Sequence, residues 1–183
     1  PLPLVQIPSK HRANKDRVAM DVLHNGGDVH FFAPQDQTRE PDTLVFSGKM
    51  SYHSTITAVL NLVNDIMPLI WAKRPDVRLW IVGKDPPASV RQFSTHYPKH
   101  VLVTGTVPDI RPYLSRASVA VCPMRYGAGI QNKVLEAMAL TTPVVATPQA
   151  VSALQTCDGE NILIGNDNES FASKVVQALE DKQ

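Results

Sequence analysis

From residue 44 onward, short apolar runs alternate with segments of helical period, and this alternation constrains the fold more than any other feature. The runs cover residues 44–46, 77–82, 101–103, 118–122, 143–146 and 161–164. Between the first two, Ile56, Val59, Leu60, Val63, Ile66, Met67 and Ile70 are separated by 3, 1, 3, 3, 1 and 3 residues, which places them on one helical face. Pro68 predicts a kink in that helix. Shorter helices are expected over residues 86–95, 109–114 with Asp109 as cap, and 132–140. A last helix carries Phe171, Val175 and Leu179, with Asp167 or Asn168 as its cap. Strands without polar alternation are buried on both faces, and each crossover helix must lay its apolar stripe on the sheet. The expected class is therefore α/β, a doubly wound, mainly parallel Rossmann-like sheet of about six strands with helices on both faces.

Composition narrows what such a sheet could serve. The 183 residues suit one domain with its own core. With 18 Lys plus Arg against 17 Asp plus Glu, nothing suggests a phosphate-tracking surface, so no nucleic-acid partner is expected. The apolar runs are shorter than the roughly 20 residues of a membrane span, and no signal peptide is visible, so a soluble, cytoplasmic protein is expected. The basic residues 10–17 allow at most a peripheral membrane contact, at the inner face. Cys122 and Cys157 lack metal or disulfide spacing. Residues 1–42, rich in proline and polar turns, read as connecting structure, and the regular domain is expected to span residues 43–183.

In open parallel sheets, ligands sit beyond the carboxyl ends of the strands. Gly48, Gly83 and Gly105 follow the first three strands, and Lys49 follows Gly48. The fourth loop is richer: Pro123-Met124-Arg125-Tyr126-Gly127-Ala128-Gly129-Ile130-Gln131-Asn132-Lys133 opens directly into a helix. Its glycines clear a path for a ligand, and the free amides of the first helical turn carry partial positive charge, which makes an anion site. Arg125, Lys133 and Lys49 would add formal charge, a combination suited to a diphosphate. Glu136, one turn into the same helix, would be repelled by phosphate and suits paired sugar hydroxyls such as those of a ribose.

Other chemistries lack their residues. Gly127-x-Gly129-x-x-Asn132 approaches a dinucleotide fingerprint, but no acid occurs in residues 141–156, where the ribose partner would fall. No phosphate-loop Gly-Lys-Ser/Thr, Gly-x-Ser-x-Gly or His-Glu-x-x-His is present. His96 and His100 are separated by Pro98, which breaks the helix that would align them; His11, His24, His30 and His53 show no ligand spacing. With no Asp-x-Asp either, no metal and no cofactor are expected.

From about His24 to its end, the chain resembles the C-terminal, donor-binding half of family-4-like glycosyltransferases (glycosyl transferases group 1) of the GT-B fold, particularly bacterial polysaccharide sugar transferases. Asn25-Gly26-Gly27-Asp28, then Phe31, Phe32 and Pro34, is similar to the interdomain linker. Val45-Phe46-Ser47-Gly48-Lys49-Met50 is similar to the opening of the donor domain, and Gly105-Thr106-Val107-Pro108-Asp109 follows in family order. Residues 129–139, from Gly129-Ile130 through Lys133 and Glu136, are the most specific match.

The resemblance implies a retaining transferase of polysaccharide or glycoconjugate biosynthesis whose substrate is a nucleoside diphosphate sugar. Its site would comprise Gly48, Lys49, Gly83, Val107, Arg125, Gly127, Gly129, Ile130, Lys133 and Glu136, with Val107 facing the base through its main chain. Two departures stand out. The first of the family's paired acids is replaced by Ala128, eight positions before Glu136, leaving Arg125 or Tyr126 in that region; the second cation of the first glycine loop is missing at Ser54 and Thr55. The family's sugar or lipid-linked acceptor is bound by a preceding domain, for which at most 23 residues stand before the linker, so the expectation is a fragment. A nucleotide-sugar epimerase, or a non-catalytic nucleotide-binding or interaction module, are the alternatives on this fold.

Overall fold

The computed structural model describes residues 28–34, 36–127 and 129–181; most of the linker motif, the basic residues 10–17 and Ala128 lie outside them. Six strands form one sheet: β1 (Glu40–Ser47), β2 (Arg78–Val82), β3 (Val101–Gly105), β4 (Ala117–Cys122), β5 (Val144–Ala146) and β6 (Leu163–Ile164). All pairings are parallel, in the order β3-β2-β1-β4-β5-β6. The expected class holds. The chain winds outward from β1 to β3, then crosses back to place β4 beside β1, with Leu44 opposite Val119 and Val45 opposite Ala120. That reversal is the topological switch point, where the loops after β1 and β4 diverge and leave a crevice.

The helices are α1 (His53–Asn61), α2 (Met67–Trp71), α3 (Ala88–Arg91), α4 (Phe93–His96), α5 (Arg111–Arg116), α6 (Asn132–Ala139), α7 (Pro148–Val151) and α8 (Asn168–Glu180). Between α1 and α2 the expected kink takes the form of a π segment, Leu62–Ile66, in which the Met67 amide donates to the Leu62 carbonyl. Pro68 has no amide to donate, and the turn ahead of it widens. His53–Trp71 as a whole is 19 residues and, by length and composition alone, apolar enough to cross a membrane, a point the run-length reading missed. Its apolar stripe is committed to the core instead: Val59, Leu62, Val63, Met67 and Ile70 are fully buried.

Beneath them lie Leu44, Phe46, Leu79 and Ile81 of the central strands, also fully buried. Each such side chain contributes about 1.5–3 kcal/mol on leaving water. Asp167 is the cap of α8: its carboxylate accepts from the Ser170 amide at 2.7 Å while the Ser170 hydroxyl accepts from the Asp167 amide at 3.0 Å. Phe171 and Val175 then anchor α8 over β4 and β5. The division between α3 and α4, the one-turn helix α7 and the start of β1 at Glu40 rather than Thr43 refine the expected boundaries. The end of the linker motif is tied to the domain, since Arg111 donates to the Phe31 carbonyl at 3.1 Å and lies 4.0 Å over the Phe31 ring.

Candidate functional site

Three glycine turns stack at the carboxyl edge of β1, β2 and β3. The Gly48 amide donates to the Val82 carbonyl at 3.0 Å and the Gly83 amide to the Gly105 carbonyl at 3.3 Å. A Cβ on Gly83 would lie 1.8 Å from the Gly48 carbonyl oxygen, so the two backbones touch and only glycine fits. Gly83, expected among the donor-binding residues, packs against the β1 turn.

The loop from β4 to α6 is built differently. Gly127 and Gly129 have φ of +138° and +85°. Among the described residues, chain neighbours aside, nothing lies within 4 Å of a Cβ placed on Gly129, and on Gly127 only Gln131 Nε2 at 3.6 Å. These glycines adopt their conformation to shape the loop, with open space before the first turn of α6. The N-cap residue Gln131 makes no side-chain hydrogen bond to that turn. Ile130 is half-buried where the loop enters the helix.

Lys133 extends from α6 back across the sheet edge. Its Nζ is 4.8 Å from the Phe46 ring centroid, 3.8 Å from Met124 Sδ and 3.1 Å from the point a Gly48 Cβ would occupy. Among the described residues no carboxylate forms an ion pair with it. Burial pushes its pKa below the usual lysine value, and Cys122 and then Glu136 oppose the shift. Burial likewise raises the Glu136 carboxyl, with Lys133 opposing, and pushes the Cys122 thiol up to about 11. The first turn of α6 therefore carries a half-buried ammonium, with a carboxylate on the next turn.

The other expected residues are distributed around this centre. Val107, after β3, packs its side chain on the core, so its main chain is what the loop can offer a ligand. Lys49 is exposed, its Nζ 5.3 Å from the Tyr52 ring centroid. Arg125 donates to Asn61 Oδ1 at 3.1 Å. The Asn61 and Asn168 amides exchange hydrogen bonds of 3.1 and 3.3 Å. This network bounds a polar cleft of about 650 Å³ beside the N-terminus of α8. The structure thus gathers Gly48, Lys133 and Glu136 at one mouth, framed by Gly127 and Gly129, and sends the Arg125 guanidinium elsewhere. The bonds of Tyr126 to His53 and Thr57 have no signal in linear spacing, because they join residues 73 and 69 positions apart, and the Phe46 ring meets Lys133 only through the fold. Among the described residues no group of three His, Cys, Asp or Glu converges as metal ligands would.

An all-parallel, doubly wound sheet of this kind, with a glycine-bearing loop opening into a helix beside its switch point, is a Rossmann-like α/β domain of the sort found in GT-B glycosyltransferases. Residues 41–181 match the family described as Glycosyl transferases group 1, and the chain belongs to that family. It is 28% identical over 169 residues, 88% of its length, to a phosphatidyl-myo-inositol mannosyltransferase of Mycolicibacterium smegmatis. The chain spans 36% and 43% of the lengths of the curated relatives it matches. Among solved structures, the C-terminal domain of the group 1 glycosyl transferase LpcC from Francisella tularensis superposes with a TM-score of 0.66 at 18% identity, covering 85% of this chain and 89% of that one. HepE of Anabaena, in complex with UDP and glucose, gives 0.69 at 16% identity, covering 88% and 47%. At these identities the likeness shows the fold.

Proposed function

We propose that this chain is the donor-binding half of a retaining glycosyltransferase, holding a nucleoside diphosphate sugar at the mouth of α6 for transfer into a polysaccharide or glycoconjugate. Residues 43–183 would be the donor domain and residues 1–42 its connection to an acceptor-binding lobe, which would bring the sugar or lipid-linked acceptor. The observation that carries the reading is Lys133: a half-buried ammonium with no ion-pair partner among the described residues is partly desolvated at a cost, and a diphosphate arriving at the adjacent amides relieves that cost. Glu136 stands far enough into the helix to accept hydrogen bonds from ribose hydroxyls, and Val107 offers the base its main chain.

The same groups have a role in the reaction. When the glycosyl–phosphate bond breaks, negative charge grows on the departing diphosphate, and amides and an ammonium already aimed there stabilise it without reorganising. Charge is supplied by side chains and helix, so the reading calls for no divalent cation. The binding of UDP by one neighbour of this fold and the mannosyltransferase activity named for one relative point the same way.

Four charge-assisted contacts at ~1.5–3 kcal/mol each give roughly 6–12 kcal/mol gross, from which association takes at least ~4, leaving at most roughly 2–8 kcal/mol, an affinity between tens of millimolar and micromolar. Calorimetric titration of the 183-residue chain with UDP, GDP and ADP, each with and without magnesium, tests this. The expected result is selection of one base in that affinity range without magnesium, and no glycosyl transfer by the chain alone, since donor and acceptor must be held together. Absence of binding to all three, or a strict magnesium requirement, contradicts it.

A further inference from the structure

A second polar cluster borders the mouth and is not used by the phosphates. His53 begins α1 and Thr57 lies one turn further on, so both occupy one helix face. Tyr126, immediately before Gly127, reaches across to them: its hydroxyl hydrogen-bonds with His53 Nδ1 and, at 3.0 Å, with Thr57 Oγ1. The His53 and Tyr126 rings are 6.0 Å apart. Tyr126 remains 44% exposed and Tyr52, also beside His53 in the chain, 60% exposed. The same end of α1 adjoins the phosphate cation, because Thr55 Cγ2 and Lys133 Nζ lie 3.3 and 3.1 Å from one point, the position of a Gly48 Cβ.

An exposed phenol and imidazole, hydrogen-bonded to each other and, through the phenol, to a threonine hydroxyl, match a pyranose: C–H faces against rings, ring hydroxyls against groups that both donate and accept. The Tyr126 hydroxyl already has two partners, so a sugar hydroxyl would exchange with one of them rather than desolvate a bare group.

We propose that His53, Thr57 and Tyr126 hold the sugar of the donor and determine which sugar is accepted. This rests on the reading of the α6 mouth as the diphosphate site. It also assigns the corner left without the paired acid and the second cation: the recognition there is by neutral hydrogen bonds and aromatic faces.

The test compares two ligands on the 183-residue chain and its variants Tyr126→Phe and His53→Ala. Both side chains are exposed, so the variants are expected to fold. Calorimetry measures the nucleoside diphosphate that binds (UDP or GDP) against its sugar nucleotides: UDP-glucose, UDP-galactose and UDP-N-acetylglucosamine, or GDP-mannose. Each variant should leave the Kd of the bare diphosphate within about twofold and raise that of the preferred sugar nucleotide about fivefold to tenfold, as expected for one lost hydrogen bond. Equal weakening of both ligands would mean that the cluster is a loop strap or a phosphate contact, and unchanged sugar-nucleotide binding would mean that it touches no sugar; either result overturns the proposal while leaving the diphosphate site standing. If the unaltered chain binds no nucleotide, the diphosphate site falls and this proposal with it.

Discussion

The two glycine-bearing edges of this sheet look alike in sequence and are opposite in structure. On the β1–β2–β3 side, Gly48 and Gly83 bring backbones together, to the point that a Gly83 Cβ would meet the Gly48 carbonyl oxygen at 1.8 Å. On the β4 side, Gly127 and Gly129 have open surroundings among the described residues. The first pair closes the wall of the crevice; the second leaves the helix start accessible. A glycine after a strand is therefore evidence of either packing or access, and the neighbouring backbone decides which.

Substitutions can break this contrast, beginning with the wall. Gly83→Ala forces the β1 and β2 turns apart and should cost about 3 kcal/mol, lowering Tm by roughly 6–12 °C in thermal unfolding. A Tm within about 2 °C of the parent would show that the wall yields easily.

Lys133→Met should move stability and binding in opposite directions. Removing a buried charge raises Tm by ~2–4 °C, while the loss of a charge-assisted contact weakens nucleotide binding about thirtyfold. The pH dependence follows the same cause. Burial holds the folded-state pKa of Lys133 below 10.5, so the unfolded chain binds more protons there between the two values and the Lys133 contribution to stability rises with pH through that window, against the opposite contribution of Cys122, whose thiol stays protonated up to about 11 in the fold. The methionine variant should lack this rise, which urea titrations at a series of alkaline pH values measure. A variant that loses stability but retains nucleotide affinity would mean that the ammonium is structural.

Gly129→Ala is the mildest. Space is free, so the cost is the positive φ alone, about 1 kcal/mol in stability, with nucleotide affinity falling by up to about tenfold as the amides shift. Stability loss without any change in affinity would separate this loop from the ligand.

Much of the sheet was legible because strands buried on both faces leave continuous apolar runs, and the helical stripe from Ile56 to Ile70 has its period written in sequence. What lay beyond reach depends on distance in the chain. Met124 and Phe46 surround Lys133 only after β1 and β4 have paired, and Arg125 finds Asn61 through a contact across 64 residues. Linear order placed Arg125 with the other cations, whereas Asn61, itself held by Asn168, takes its guanidinium. The π segment was equally hidden, since Pro68 signals a disturbance of the helix but not the form it takes.

The central claim is that diphosphate oxygens rest on the free amides at the start of α6, against Lys133. Amide chemical-shift mapping of the 15N-labelled chain during titration with the nucleoside diphosphate it binds measures this directly. The largest shifts should fall on Gly129, Ile130, Gln131, Asn132 and Lys133, with smaller ones at Gly48 and Val107. Shifts concentrated instead around Asn61, Arg125 and Asn168, with the α6 start unmoved, would place the ligand in the cleft beside α8 and contradict the assignment.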